Sequence, residues 1–467
     1  MSENAESTDN GGEGAPRAPG GLRLVLRSLR HRNYRLFFGG QGLSLIGTWM
    51  QGAALPWMVY RLSNRTMLLG LVGFVGQIVA FLAAPLAGVL GDRWNRQKVL
   101  VLTQAASMVQ ALLLAAVAFA PESGPSAWAL APGTKIACII ALSALLGLVN
   151  GFDIPIRQAF VVEMVDCQED LPNAIALNST LFNAARLVGP AIAGVLVATA
   201  GEGACFLANA VSYAAVIWAL AAMRVPPRDY RAHHRRLLHS LKEGWTYVAG
   251  HGPIRSMLLL LAVVSLFGVP YGTLLPAFAK KLGAGSGGFG LLVSSAGAGA
   301  LLGAIFLAAR RSVLGLAWWI AVTPALFGLG LIGLALSPAL GLSMALLVVT
   351  GFAVMVQMAS TNTILQTIVD PDKRGRVMSF HTMAFMGPAP VGALLSGLLA
   401  DRIGPAWTVI GGGGVCMVAS AVFLCRLPAL RRVLRPIYVR MGIIAVEGEM
   451  APLGANGDDD KNGQENA

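Results

Sequence analysis

Charge is what this sequence has least of. Only 12% of its 467 residues are Asp, Glu, Lys or Arg, about half the share of a soluble domain, which excludes a large water-facing fold. Cysteine is scarcer still. Cys138, Cys167, Cys205, Cys416 and Cys425 are odd in number, scattered and without a Cys-x-x-Cys pair, which argues against a disulfide framework or zinc site and leaves them as packing residues. The six histidines never stand in His-Glu-x-x-His, no serine stands in Gly-x-Ser-x-Gly, and no Gly-x-x-x-x-Gly-Lys-Ser/Thr run occurs. Zinc-hydrolase, serine-hydrolase and ATP-motor chemistry thus lack their residues. The chain is not expected to be an enzyme or to need a cofactor or metal, with an intramembrane enzyme as the remote alternative. The polar, Gly-rich start from Met1 to Gly20 lacks the apolar core of a cleaved signal peptide.

What is abundant is apolar length. Hydrophobic residues make up 55% of the chain and recur in runs near the roughly 20 residues that cross a hydrocarbon core. The runs fall at about 36–60, 68–91, 98–120, 134–155, 174–200, 203–223, 254–279, 288–310, 314–336, 339–362, 378–400 and 404–425. An even count puts both termini on one side. That side collects the arginines from Arg23 to Arg35, then Arg93, Arg96, Lys98, Arg157, the basic stretch from Arg224 to Arg255, Arg310, Arg311, Lys373, Arg374, Arg376 and the arginines from Arg426 to Arg440; the other side has Arg61, Arg65, Lys135, Lys280, Lys281 and Arg402. Lys and Arg in short loops mark the cytoplasmic side. The net charge of +12 is therefore a topology signal with lipid contact as a by-product, not a nucleic-acid surface. The expectation is a multi-pass protein of the inner membrane with both termini in the cytoplasm.

The runs repeat. Leu55-Pro56, Arg61-Leu62 and Gly70 match Leu275-Pro276, Lys281-Leu282 and Gly290 at one offset, and Gly189-Pro190-Ala191-Ile192-Ala193-Gly194 matches Gly387-Pro388-Ala389-Pro390-Val391-Gly392. Two parallel six-span halves with a site between them at the membrane midplane are a known transporter plan. The expected fold class is an all-α integral membrane protein of twelve transmembrane helices in two pseudo-symmetric six-helix bundles. Its expected organisation is a disordered terminus over 1–30, a first bundle over 31–223, a linker over 224–253, a second bundle over 254–426 and a mostly disordered tail over 427–467. In the linker, Leu237, Leu238, Leu241, Trp245 and Val248 recur at helical spacing among Arg235, Arg236 and Lys242, as in a helix lying in the membrane interface.

Between spans two and three the chain reads Gly88-Val89-Leu90-Gly91-Asp92-Arg93-Trp94-Asn95-Arg96-Gln97-Lys98. This resembles the loop signature of the major facilitator superfamily, Gly-x-Leu-x-Asp-Arg-x-Gly-Arg-Lys, with Asn95 in place of Gly and Gln97 in place of Lys. Asn tolerates left-handed backbone next best after Gly, so the turn is expected to survive. Ala185 to Gly194 resembles the antiporter signature associated with exporters in that superfamily, with Gly189, Pro190 and Gly194 retained. Four stretches are similar to the branch containing enterobactin-exporter-like proteins: Arg32-Asn33-Tyr34-Arg35-Leu36-Phe37, Phe152 to Ala159, Ala174 to Ser179, and Arg374-Gly375-Arg376-Val377-Met378-Ser379. The resemblance implies the major facilitator fold and a secondary transporter working by alternating access. The reading it favours is a proton-coupled exporter of a small molecule, a siderophore, drug or metabolite, acting as a monomer; an importer on the same fold stays open.

Candidate site residues follow from polar groups in apolar spans. Gly88, Asp92, Arg93, Arg96 and Lys98 form a gating loop, in which Asp92 is expected to latch onto the start of span eleven near Ser379. Arg186 falls near the midplane, where a cation needs water or a partner. Ser179, Asn183, Arg186 and Pro190 share one helix face, and Gln41, Ser44, Thr48 and Gln51 share another, so the two stripes are candidates to line one cavity; packing hydrogen bonds are the alternative for each amide or hydroxyl. Asp153 can pair with Arg157 as a local clamp or exchange between Arg186 and a proton, which makes Asp153, Arg157 and Arg186 the coupling candidates. Glu163, Asp166, Glu169 and Asp170 read as solvated, and His381 as a packed neutral imidazole.

Overall fold

The computed structural model describes residues 26–91, 94–124, 126, 128–165, 167–224, 237–310 and 312–440. Eleven stretches of it are helical, long and apolar enough to cross a membrane. The first helix, α1 (Arg32–Ser63), is about 48 Å long at 1.5 Å per residue and is the twelfth crossing element; Arg35, Gln41, Gln51 and Arg61 lower its apolar density. The first half continues with α2 (Thr66–Gly91), α3 (Arg96–Phe119), α4 (Pro132–Phe160), α5 (Leu171–Ala200) and α6 (Glu202–Ala222). A short helix, α7 (Leu237–Gly250), precedes the second half. There one crossing is built from α8 (Gly252–Val263), a π-helical turn (Val264–Gly268) and α9 (Tyr271–Lys281). Then follow α10 (Gly285–Ala308), α11 (Leu316–Leu336), α12 (Leu340–Ile368), a second composite crossing of α13 (Pro371–Met386) and α14 (Pro388–Ile403), and α15 (Pro405–Arg440).

The chain thus makes twelve membrane helices in two bundles, and both described ends lie on one face, the terminal face. Inside the first bundle α1 packs on α5 and α6, α2 on α4, and α3 on α4 and α6; inside the second, α10 packs on α12 and α11 on α12 and α15. Two seams join the halves, α5 against α10 and α2 against α14. Glycine lets both seams close. A methyl group on Gly290 would sit 2.8 Å from Cα of Gly194 and 2.5 Å from the Pro190 carbonyl oxygen, and one on Gly397 would sit 3.0 Å from Cα of Gly70.

These contacts correct the register of the repeat. Gly189 packs on the Ile46 carbonyl of α1, and Gly392 on the Leu266 carbonyl of the corresponding crossing. Gly189 and Gly194 are therefore the mates of Gly392 and Gly397, five residues beyond the Gly387-Pro388 match of the sequence. Matching Pro on Pro aligned a helix interior with a helix break: α5 runs through Pro190, whereas α13 ends at Met386 and α14 begins at Pro388.

Both terminal segments carry more structure than expected. Arg27–Arg30 forms a 3₁₀ turn, and α15 continues through Pro428 and Pro436 to Arg440, so residues 427–440 are helical. In the linker, α7 docks on α13: Glu243 pairs with Arg376 at 2.7 Å, Gly244 lies under the Phe380 ring, and Val248 is buried. Trp245 stays exposed. Burial, and then the nearby Asp370 carboxylate, push the Tyr247 hydroxyl above its ordinary pKa.

Candidate functional site

The face opposite the termini is sealed between the halves. Asp401, near the end of α14, caps the start of α2: its Oδ1 accepts from the Thr66 and Met67 backbone N–H groups at 2.7 and 3.1 Å and from the Thr66 hydroxyl at 2.5 Å. A carboxylate suits the unpaired N–H groups of a helix start. Asn64 ends α1 in left-handed backbone at φ 53°, and its side-chain oxygen accepts from Lys280 Nζ at 2.9 Å. Below them Trp57 of α1 stacks on Phe289 of α10 at 5.7 Å. Farther out in the first half, Arg61 bridges Glu202 at 2.8 Å and Glu122 at 3.2 Å, and the buried Lys135 lies 3.8 Å from Glu122.

The terminal face is built differently. The ion pairs and hydrogen bonds that stand out there among the described residues join elements of the same half. Asp170, read as solvated, is buried and gathers Arg27 at 3.2 Å, Arg30 at 2.8 Å and His31 at 2.8 Å. Glu163, also read as solvated, is 7% exposed and pairs with Arg96 at 2.8 Å. Both readings failed because acidic residues in a loop between two spans were taken to face water, whereas the chain folds that loop under its own arginines.

Of the gating loop, Asp92 and Arg93 lie outside the described residues, as does Asp166, and Gly88 is placed only as part of α2. Asn95 serves as an N-cap: its backbone is extended and its side chain accepts from the Lys98 N–H at 3.0 Å. No left-handed turn is formed there, and capping replaces that expectation. Gln97 donates to the Leu220 carbonyl at 2.6 Å, tying α3 to the end of α6. Lys98 is exposed. The start of α13, where Asp92 was expected to dock, carries α7, and Ser379 is exposed with its hydroxyl on the Gly375 carbonyl.

The two polar stripes do not face each other. Gln41, Ser44 and Gln51 are buried inside the first bundle, where Gln51 donates to Gln110 at 3.1 Å and accepts from Asn209 at 2.8 Å. Thr48 is exposed and lies 3.4 Å from the Tyr213 hydroxyl. This stripe binds helix to helix. The α5 stripe runs instead from the exposed Ser179 through the half-buried Asn183 and Arg186 to the buried Pro190. Asn183 bonds back to the Ser179 carbonyl at 2.9 Å.

Asp153 is 1% exposed and accepts from Thr103 and Gln104, both at 2.8 Å, while its other oxygen pairs with Arg157 one turn along α4. The structure thus brings Asp153 to Arg157, with Arg186 engaged elsewhere.

Arg186 stands about 22 Å into α5, near its middle. Pro190 has no N–H, so the carbonyl of Arg186 lacks its helical donor; Gly297 of α10 packs there, a methyl group on it falling 2.9 Å from that oxygen. The guanidinium lies over the Trp49 ring at 5.7 Å, and Phe182 meets Trp49 edge-on at 5.5 Å. A cation at midplane costs at least about 3 kcal/mol on insertion scales, and a cation–π contact returns about 1 kcal/mol. The remainder must come from water or from an anion. Toward the terminal face from Arg186 the α5 residues Phe182 and Ser179 are exposed. Sequence reasoning singled out Arg186 but not its neighbours Trp49 and Phe182, because an aromatic ring in an apolar span offers no periodic contrast. The one available signal was that Trp49 follows the polar stripe by one residue and so turns toward α5.

A family model described as transmembrane secretion effector matches residues 25–436. The chain is 24% identical over 397 residues to the staphyloferrin A transporter of Staphylococcus aureus, covering 84% of this chain and 96% of that protein. It is 25% identical over 408 residues to the enterobactin exporter of Shigella flexneri, covering 86% and 93%. Among solved structures it resembles a bacterial homologue of the iron transporter ferroportin in the inward-facing state, with a TM-score of 0.65 at 16% identity over 85% of this chain and 98% of that one. The nucleoside transporter NupG superposes with a TM-score of 0.59 at 15% identity over 86% and 98%.

Proposed function

The chain belongs to the transmembrane secretion effector family of the major facilitator superfamily, and from that premise we propose that it is a proton-coupled exporter of a siderophore-like small molecule, working by alternating access with both termini in the cytoplasm. It is a membrane transporter and not an enzyme, as its relatives and structural neighbours are. The observation that carries the proposal is the cross-half closure at Asp401, Lys280 and the two glycine seams on one face, set against described ion pairs of Asp170, Glu163 and Glu243 that join elements of the same half on the other. Positive residues crowd the open face, which assigns it to the cytoplasm. Cargo enters from that side and meets Arg186.

Return to the outward-open state requires the Asp401 cap and the glycine seams to part while the terminal face closes. We assign the proton to Asp153. Asp153 is buried in α4, pairs with Arg157 and accepts from Thr103 and Gln104, so a turn of Arg157 would leave this carboxylate without its cation inside the bundle. A proton moving inward is thereby exchanged for cargo moving outward.

The test is transport into inside-out vesicles with a panel of siderophores, drugs and metabolites, with and without a proton gradient. Gradient-driven accumulation is expected. Accumulation only in right-side-out vesicles would make the protein an importer, and accumulation unaffected by collapsing the gradient would remove the proton.

A further inference from the structure

The carboxylates of the described structure are committed away from Arg186. On the terminal side of the first half, Asp153 is held by Arg157, Glu163 by Arg96 and Asp170 by Arg27, Arg30 and His31. On the opposite face Glu202 and Glu122 serve Arg61 and Lys135, and Asp401 caps α2. In the second half Asp370 lies at the Tyr247 hydroxyl and Glu243 holds Arg376. Arg186 is the one basic residue in the middle of a described span, and among the described residues it forms no ion pair. Its surroundings are aromatic: Trp49 lies under the guanidinium and Phe182 against the Trp49 edge.

A guanidinium in that setting is not built for a cationic or a neutral apolar cargo. A cation would meet it as a like charge in a poorly screened space, and a neutral apolar molecule would strip its water without replacing it. An oxyanion replaces that water with charge-assisted, bidentate hydrogen bonds in the plane of the guanidinium fork. Stacked on Trp49, the fork keeps its N–H edges available to such a partner. We propose that Arg186 is the cargo-recognition residue of the transport path and that the cargo is an organic oxyanion, carrying a carboxylate or an equivalent ionised oxygen pair, with Trp49 and Phe182 as the aromatic wall beside it. The inference rests on the transporter reading above and names the chemical class of its cargo. It also separates two jobs within the first half: Arg186 reads cargo, whereas Asp153 with Arg157 handles the proton.

Binding to the purified full-length protein tests this directly. The probes are citrate and salicylate as oxyanions, salicylamide as the neutral counterpart of salicylate, and tetraphenylphosphonium as a cation, read by tryptophan fluorescence and by thermal shift. Wild type is expected to bind the two oxyanions more tightly than salicylamide. Arg186→Gln is expected to weaken oxyanion binding at least about tenfold, as befits loss of a charged hydrogen bond, and to leave salicylamide unchanged; Arg186→Lys keeps the charge but loses the fork and falls between. The unliganded thermal transition of each variant shows whether it is folded. Oxyanion binding unchanged in a folded Arg186→Gln variant, no oxyanion binding by wild type, or tighter binding of tetraphenylphosphonium would each overturn the assignment. Vesicle transport reads direction separately, so oxyanion binding without outward transport would retire the export reading and leave the anion site standing.

Discussion

The two halves share a plan and divide the labour. In the first, the crossings α1 and α5 are continuous helices that hold a buried carboxylate, Asp153 in neighbouring α4, and a mid-span cation, Arg186. In the second, the matching crossings are broken, one by the π-helical turn Val264–Gly268 and the other at Gly387-Pro388. The two breaks touch: the Ser265 hydroxyl donates to the Phe385 carbonyl, and Gly392 packs on the Leu266 carbonyl. Between residues 252 and 440 the only acidic residues are Asp370, Asp372 and Asp401, all near helix ends. A π turn and a Gly-Pro break lower the cost of bending a helix. The comparison teaches that buried charge and helix breaks are segregated, the charge in the first half and the breaks in the second.

Bulk at a glycine seam should break this division most severely. Gly290→Val drives a branched side chain into the Pro190 carbonyl and Cα of Gly194. We expect vesicle transport to fall more than about tenfold, since overpacking costs about 1–3 kcal/mol or more. Gly397→Val should match it at the other seam. If only one of the pair is harmful, the seams are not equivalent.

Asp153→Asn is the next largest. It leaves Arg157 without its carboxylate, and gradient-driven transport should drop about tenfold, while binding of a cargo probe at Arg186 stays at the wild-type level. Equal loss of both would merge the two sites and undo the separation argued within the first half.

Asp401→Asn removes a cap supplied by one half to the other. A lost cap costs about 1 kcal/mol, so the outward-open population should rise about fivefold, measured as a longer distance between spin labels at Arg65→Cys and Arg402→Cys. An unchanged distance distribution would make the cap a spectator of the closed state. Lys280→Met should be mildest, within about threefold by the same measurement, because an exposed polar contact and a cation–π contact with Tyr60 at 5.7 Å are worth little in water.

The plan of the molecule was legible in the sequence because membrane helices announce themselves by apolar length. The expected spans fall within a few residues of most helix limits, and the linker helix was visible in the spacing of Trp245 and Val248. Orientation was less legible. Gln51 and Arg186 are both hydrogen-bonding residues in apolar helices, yet one closes a buried network with Gln110 and Asn209 and the other lies half-buried over the Trp49 ring. Helical spacing says which residues share a face, and only the neighbouring helices decide where that face looks. The register of the second repeat was misread for a related reason: Pro is conspicuous in sequence, but the conserved physical demand is a small residue under a neighbouring carbonyl, which Gly392 meets and Gly387 does not.

One residue joins load to joint. The carbonyl of Arg186, freed by Pro190, is the oxygen against which Gly297 of the other half rests. If its guanidinium holds cargo as proposed, cargo and inter-half contact share a single Cα, and a pull on the one is delivered to the other without an intervening relay of side chains.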